Sequence, residues 1–267
     1  MTKKDKENLI NAAHAGGKIL KTYFGKIFNN IKEKSTAFDF QTEADIASEK
    51  AILKIIKEKF PIYNIHSEEE GKINKKSQYS IVIDPLDGTN NFILGIPNFS
   101  VSIAIFHKNE AIMGVVYHPI LNQTFFAEKD KDAFLNGKKI KVNNVTDHKK
   151  ITIAHTCGYK TSLSYIAKVF YSMFVDLNKK RMTDNWSPAY DYCMLACGKI
   201  ESVFTNGIEI YDFAAGKLIA KEAGAKIIDF NGKKGNNYLN NKFIISNTSE
   251  INNYILNTIK PLQKERK

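Results

Sequence analysis

Apolar residues at Leu9, Ala13, Leu20 and Phe24 recur across residues 5–24 at a roughly helical spacing, and Ile46, Leu53, Ile56 and Phe60 repeat it in a segment that Pro61 terminates. Two amphipathic helices are predicted, because such a stripe buries one face and leaves the other in water. From Ser80 the pattern changes. The segments 81–84 (IVID), 99–106 (FSVSIAIF), 111–118 (AIMGVVYH) and 123–128 (QTFFAE) are rich in β-branched and aromatic residues and are separated by turn formers. They predict a largely antiparallel sheet. Asn136-Gly137 lies between two apolar-containing arms and predicts a tight type I′ hairpin, in which both central residues need positive φ.

Beyond about residue 150 the texture alternates: a strand at 152–155, helices near 162–175 and 188–198, a strand at 201–205, a helix over 212–223 stopped by Gly224, and strands at 225–229 and 243–246. Alternation of this kind predicts an α/β half. No repeat or low-complexity linker divides it from what precedes. The expected organisation is an α+β half over residues 1–148 and an α/β half over 149–267.

With 267 residues, 43% of them hydrophobic, the chain can bury a full core, which removes disorder as its main state. Cys157, Cys193 and Cys197 make no disulfide framework, and the last two stand one helical turn apart in an apolar run, where packing accounts for them. A reducing cytoplasm is the expected compartment. The opening MTKKDKENLI lacks the apolar stretch of a secretory signal, and no run of about eighteen apolar residues occurs, so neither export nor a membrane span is expected. The net charge of +11 raises the question of a nucleic-acid ligand. The basic residues fall in short groups (Lys3-Lys4, Lys138-Lys139, Lys149-Lys150, Lys179 to Arg181, Lys264 to Lys267) without a stripe of interleaved aromatics. They read as solvated faces, and nucleic acid is not the expected ligand.

The stretch Ile83-Asp84-Pro85-Leu86-Asp87-Gly88-Thr89-Asn90-Asn91-Phe92 runs an apolar strand into two carboxylates three residues apart, followed by Gly and Thr. Asp84 and Asp87 can converge on a hard cation, the Leu86 carbonyl can add an oxygen, and the Gly88 and Thr89 amides can face a phosphate. The same letters also describe an ordinary turn. Glu68-Glu69-Glu70-Gly71, upstream, reads as a solvated loop unless it folds back to the strand end and brings a glutamate to Asp84 and Asp87. Asp212, at the start of a helix in Tyr211–Gly216, reads equally as an N-cap. Thr42-x-x-Asp45 has the spacing of a capping box.

Taken together, these segments resemble the inositol monophosphatase family along almost the whole chain. Asp84–Phe92 is similar to its metal-site signature, Glu68-Glu69 with Gly71 to its upstream loop, and Tyr211–Gly216 with Glu222-Ala223-Gly224 to its C-terminal signature. Lys34-Ser35, Asp39, Thr42, the strand at 114–117 and the Asn-Gly hairpin also match. The resemblance implies a layered αβαβα sandwich of the metal-dependent sugar-phosphatase type, commonly a homodimer, which hydrolyses a small phosphorylated alcohol with two or three Mg2+ ions. It assigns Glu68, Asp84 and the Leu86 carbonyl to one ion, Asp84, Asp87 and Asp212 to a second, and a weaker third near Glu68 with Asp45 close by. Thr89, bonded to Asp45, would orient the attacking water, Gly88 and Thr89 amides would hold the phosphate, and Lys34 would lie near it.

The substrate pocket departs from the family pattern. Where the family has a Gly-Ser/Thr-Ala-Ala segment and a later glutamate, this chain has Trp186-Ser187-Pro188-Ala189 and Thr205, with Glu209 nearby. Trp186, Ser187 and Thr205 are the expected substrate-side residues. Trp186 reads either as packing against the sheet or as part of the pocket. Inositol 1-phosphate or a similar polyol phosphate is the leading substrate; nucleotide (NADP or adenosine 3′,5′-bisphosphate) or histidinol phosphates, or broad specificity, are the alternative. Some bacterial relatives are implicated as accessory proteins of the transcription machinery, which supplies a non-enzymatic reading.

Overall fold

Thr2 starts the first helix with a capping box: its hydroxyl accepts from the Asp5 amide while Asp5 accepts from the Thr2 amide, satisfying donors that a helix start leaves free. The computed structural model describes residues 1–26, 31–36, 39–176, 181–235 and 237–263; Lys179 and Lys264 to Lys267, noted above as basic groups, lie outside the described residues.

In chain order the elements are α1 (Lys3–Tyr23), the short pair β1 (Lys32–Glu33) and β2 (Phe40–Gln41), α2 (Glu43–Lys59), β3 (Asn64–Ser67), β4 (Gly71–Ile73), β5 (Tyr79–Asp87), α3 (Thr89–Ile93), β6 (Ser100–His107), β7 (Glu110–His118), β8 (Gln123–Glu128), β9 (Ala133–Leu135) and β10 (Lys138–Ile140). There follow β11 (Ile153–Cys157), α4 (Leu163–Tyr171) with a π-helical turn at Ser172–Asp176, β12 (Met182–Thr183), α5 (Pro188–Ala196), β13 (Ser202–Asn206), α6 (Ile210–Glu222), β14 (Lys226–Asp229), β15 (Lys242–Ser246) and α7 (Ser249–Gln263).

The first half forms an eight-stranded sheet ordered β10-β9-β8-β7-β6-β5-β3-β4, and the second a five-stranded sheet ordered β12-β11-β13-β15-β14. The first is antiparallel except where β3 runs parallel to β5, a crossover made through the hairpin with β4. Asn136 and Gly137 take φ +49° and +77°, as a type I′ turn between β9 and β10 requires.

Each face of each sheet is covered. Leu9, Ala13, Leu20, Ile52 and Ile56 of α1 and α2 bury against Ile81, Ile83, Ile103 and Val115 on one face of the large sheet. Its other face, with Val82, Ala104 and Val116, shares a core with α5, α6 and Val203, Phe243 and Ile245 of the small sheet. Val169 of α4 and Ile251, Ile255 and Ile259 of α7 close the far face on Ile153, Phe204 and Ile244. The layers therefore run α, β, α, β, α. The central layer is tight because α6 carries Ala214-Ala215-Gly216: a Cβ added to Gly216 would lie 2.8 Å from the Tyr192 side chain of α5, closer than packed carbons approach. The small-residue run thus serves the approach of neighbouring elements.

Candidate active site

The end of β5 is built by a bulge. Asp84 pairs with Ser102 and Asp87 with Ser100, so three steps along β5 match two along β6. In a regular strand residues three apart point to opposite faces, and the extra residue turns both carboxylates into one cleft. Pro85, with no N–H to give a ladder, sits in the bulge. Gly88 then turns the chain with φ +97°, where an added Cβ would stand 2.9 Å from the Asn98 carbonyl oxygen. Glycine alone fits both demands.

Three other elements deliver side chains to this point. The loop between β3 and β4 brings Glu68, anchored by its amide on the Ile83 carbonyl at 3.1 Å. The first turn of α6 brings Asp212, and both acids line the cleft with Asp84, Asp87, Gly88 and Thr89. From α2, Asp45 reaches Thr89 from behind: the Thr89 hydroxyl lies 3.1 Å from Asp45 Oδ1 and 3.0 Å from the Leu86 carbonyl, while Asp45 Oδ2 accepts from the Thr42 amide and hydroxyl at 2.8 and 2.6 Å. Asp45 therefore serves the capping box and the site together.

Supporting polar groups hold the acids in place. Asp87 Oδ2 accepts from Ser100 at 2.9 Å and Ser187 at 2.5 Å, and Oδ1 from the Ala189 amide at 3.2 Å. The Ser48 hydroxyl donates to the Pro85 carbonyl at 2.8 Å, and Glu49 accepts from the Ser67 hydroxyl and the Glu69 and Glu70 amides. Ser48 and Glu49 were not among the expected residues. Their signal was their spacing: three and four residues after Asp45, they share its face of α2, where the apolar stripe of Ile52, Leu53 and Ile56 gives way to polar side chains.

Burial pushes Asp45 and Asp87 up to about 6 and Glu68 up to about 7. Asp84 and Asp212 rise further, first from burial and then from neighbouring carboxylates. Like charges in a poorly solvated cleft repel strongly and hold protons unless a cation joins them. Among the described residues no group of three or more His, Cys, Asp or Glu side chains closes into a compact coordination cluster. The acids stand around an open cleft of about 280 Å³, so that water or a substrate oxygen would complete an ion's shell. The oxygen-only donor set suits a hard divalent cation.

The remaining expected residues divide. Trp186 lines the cleft. Lys34 stands behind it, its ammonium 2.7 Å from Glu68 Oε1 and also bonded to Glu69; burial alone would lower its pKa, and these two carboxylates more than offset that. Ser187 is fully buried and spends its hydroxyl on Asp87, so it positions a carboxylate and does not face substrate. Thr205 is also fully buried, 2.6 Å from the Tyr192 hydroxyl. Its strand position turns it into the core between β13 and α5, which corrects the expectation that it lines the pocket; Glu209 lines the cleft instead. Asp212 occupies the third position of α6, with Glu209 as N-cap, which corrects its reading as the cap itself. Tyr211, the first residue of the C-terminal signature, also lines the cleft, as do Tyr159 and Asp184; the last two lie outside the recognised motifs, and no local pattern marks them.

An αβαβα sandwich enclosing a cleft lined by clustered carboxylates defines the class of this protein. The chain belongs to the inositol monophosphatase family, a metal-dependent family whose model matches residues 3–264. It is 37% identical over 256 residues to Nus factor SuhB of Pasteurella multocida, with 94% of this chain and 93% of the relative covered. To the fructose-1,6-bisphosphatase/inositol-1-monophosphatase of Thermotoga maritima it is 34% identical over 231 residues, 86% of each chain. Among solved structures, the extragenic suppressor protein suhB of Bartonella henselae superposes with a TM-score of 0.89 at 28% identity (96% and 98% covered). The Thermotoga maritima IMPase superposes at 0.87 and 31% (99% of each).

Proposed function

We propose that the chain is a magnesium-dependent phosphomonoesterase acting on a small phosphorylated alcohol: inositol 1-phosphate or a similar polyol phosphate, with nucleotide and histidinol phosphates as the alternative. The observation that carries this reading is the Thr89 hydroxyl in the cleft, tied to buried Asp45 beside the bulge that aims Asp84 and Asp87 the same way. By the family resemblance Glu68, Asp84 and the Leu86 carbonyl would hold one ion, Asp84, Asp87 and Asp212 a second, and a third would lie near Glu68. Bound there, two or three Mg2+ ions would activate water and offset charge on the phosphoryl oxygens and the leaving alkoxide.

The chain's own groups supply the orientation. With its hydrogen directed to Asp45 Oδ1 or the Leu86 carbonyl, Thr89 Oγ1 offers lone pairs to the attacking water. Asp45 does not touch substrate; it acts by fixing the Thr89 rotamer. The Gly88 and Thr89 amides are assigned to the phosphoryl oxygens. As α3 has five residues, this is contact by single N–H groups, with little field from the helix itself. Lys34 steadies Glu68 and Glu69 beside them. Glu209, which also joins the capping box of α6, is one of the cleft carboxylates that could meet a substrate hydroxyl. Thr89→Ala is expected to lower kcat about a hundredfold while KM changes less than threefold. An equal loss in both would make Thr89 a substrate-gripping residue.

The substrate class is tested by phosphate release, with magnesium, from inositol 1-phosphate, fructose 1,6-bisphosphate, histidinol phosphate, NADP and adenosine 3′,5′-bisphosphate, compared as kcat/KM. A homodimer in the cytoplasm is the expected state; the free thiols of Cys157, Cys193 and Cys197 accord with a reducing compartment. No helix among the described residues is long and apolar enough to cross a membrane. The relatives named Nus factor SuhB support a second reading, an accessory role with the transcription machinery. Such a role would use the surface and be indifferent to loss of a cleft carboxylate.

A further inference from the structure

We infer that the mouth of this cleft is an aromatic subsite, which makes phosphate esters whose alcohol carries a planar ring better substrates than ring-free polyol esters. The inference rests on the phosphatase reading and, of the two substrate classes given there, favours the nucleotide and histidinol phosphates. Of the aromatic side chains that line the cleft beside the acids, Trp186 and Tyr159 are 51% and 52% exposed. Exposed aromatics at the mouth of a polar cleft have their faces free for a flat, weakly hydrated group.

Trp186 is held in this position against its backbone preference. Its φ of +52° lies in the left-handed region, which bulky residues avoid and which persists only where neighbouring contacts enforce it. The enforcement is visible on both sides. The Asn185 carbonyl accepts from the Asn91 and Asn98 side-chain Nδ2 groups at 2.6 and 3.1 Å, and the Asn185 side chain donates to Asp191 at 2.6 Å. On the other side, Ser187 is committed to Asp87. The indole itself is left at the mouth with no ring partner among the described residues. A packing tryptophan would be buried; this one is clamped by its neighbours and presented.

Tyr159 is fixed from the same place. Its hydroxyl accepts from the Asn90 side chain at 3.1 Å, so consecutive residues of α3, Asn90 and Asn91, hold the two aromatic segments. Adjacent helical residues diverge by about 100°, which sets the two attachments on different sides of the element that carries Thr89. The backbone before Trp186 and the Tyr159 hydroxyl are thereby tied to the element that carries Thr89, on the same cleft as the acids. The polar surroundings, Asp184 and Glu209 on the same cleft, suit a ring bearing N–H or amino donors, as in a purine or an imidazole.

Trp186 is the single tryptophan of the chain, so its emission reports directly on the subsite without turnover. Adenosine is expected to quench it saturably, and inositol at the same concentration to leave it unchanged. In kinetics, the ratio of kcat/KM for adenosine 3′-monophosphate to that for glycerol 2-phosphate should fall about tenfold in Trp186→Leu, the scale of one lost base–aromatic stack, and recover in part in Trp186→Phe. No quenching by adenosine, or an unchanged ratio in Trp186→Leu, overturns the subsite. Hydrolysis of neither of these esters nor of any ester of the panel by the wild-type protein with magnesium would instead overturn the phosphatase reading, and the quenching measurement would still decide the subsite.

Discussion

Asp212→Asn is expected to lower kcat by about a thousandfold or more, roughly 4 kcal/mol of transition-state stabilisation, while the protein keeps its fold. Asp212 has two functions that the substitution separates. As the third residue of α6 it accepts the Glu209 amide at 2.9 Å through Oδ2, and an asparagine oxygen can accept the same bond. As a cleft acid it contributes a negative charge, which asparagine cannot. If the residue served only to cap the helix, Asp212→Asn would be nearly silent and Asp212→Ala would cost about 1 kcal/mol of stability without a specific effect on turnover. Steady-state kinetics and thermal melting of both variants distinguish the outcomes. Wild-type kcat in Asp212→Asn would remove the residue from the catalytic machinery.

The second large effect is on stability in chelator. Asp45, Glu68 and Asp87 have folded-state pKa values of about 6, 7 and 6, above the range near 4 of unfolded carboxylates. Between about pH 4 and 7 the folded state binds more protons than the unfolded one, so stability falls as pH rises through that window. Asp191, pushed up to about 8 by burial, extends the fall. His118 and Lys217, lowered to about 4 and about 7 by burial, work in the opposite direction; they are common to wild type and variants, so a difference between two proteins isolates the acidic cluster. Asp84→Asn removes a fully buried carboxylate that Glu68, Asp87 and Asp212 all oppose. It should raise Tm by about 5–10 °C at pH 8 in chelator and by little at pH 5, where the acids are protonated. With excess magnesium the order should reverse, because only the wild-type site gains the ligand's stabilisation. A lower Tm for Asp84→Asn at pH 8 in chelator would mean that Asp84 is held by compensating bonds and is not under repulsion.

How much of this was legible in the sequence depends on how local each signal is. The stripes of α1 and α2 follow from burial of one face, the near-continuous apolar runs of β5 to β8 from a sheet covered on both faces, and the hairpin at Asn136-Gly137 from a backbone demand that few residues meet. β3 and β4 were not anticipated, since Asn64–Ser67 and Gly71–Ile73 are too short and polar to show a period. α7 had a usable stripe in Ile251, Ile255 and Ile259, hidden among asparagines that favour helix weakly. The acidic residues were identifiable one by one, but each also had a local explanation, and Asp45 and Asp212 do serve in capping boxes. Their convergence depends on the bulge between Asp84 and Asp87, a register feature that depends on the neighbouring strand. Thr205 illustrates the converse: the family resemblance pointed to the pocket, whereas β13 is buried along its whole length and the side chain is spent on the Tyr192 hydroxyl. The positive φ of Trp186 arises from contacts on both flanks and has no signature in its own identity.

The central claim, that the acidic cleft hydrolyses phosphate esters only when charged with a divalent cation, is tested most directly by one titration. Phosphate release from inositol 1-phosphate is followed in protein stripped with chelator and then supplied with increasing magnesium, with folding monitored by circular dichroism throughout. The account predicts no release in chelator, recovery that saturates with magnesium, and an unchanged fold in both states. Undiminished release in excess chelator, or none from any ester of the panel at saturating magnesium in the folded protein, would contradict it.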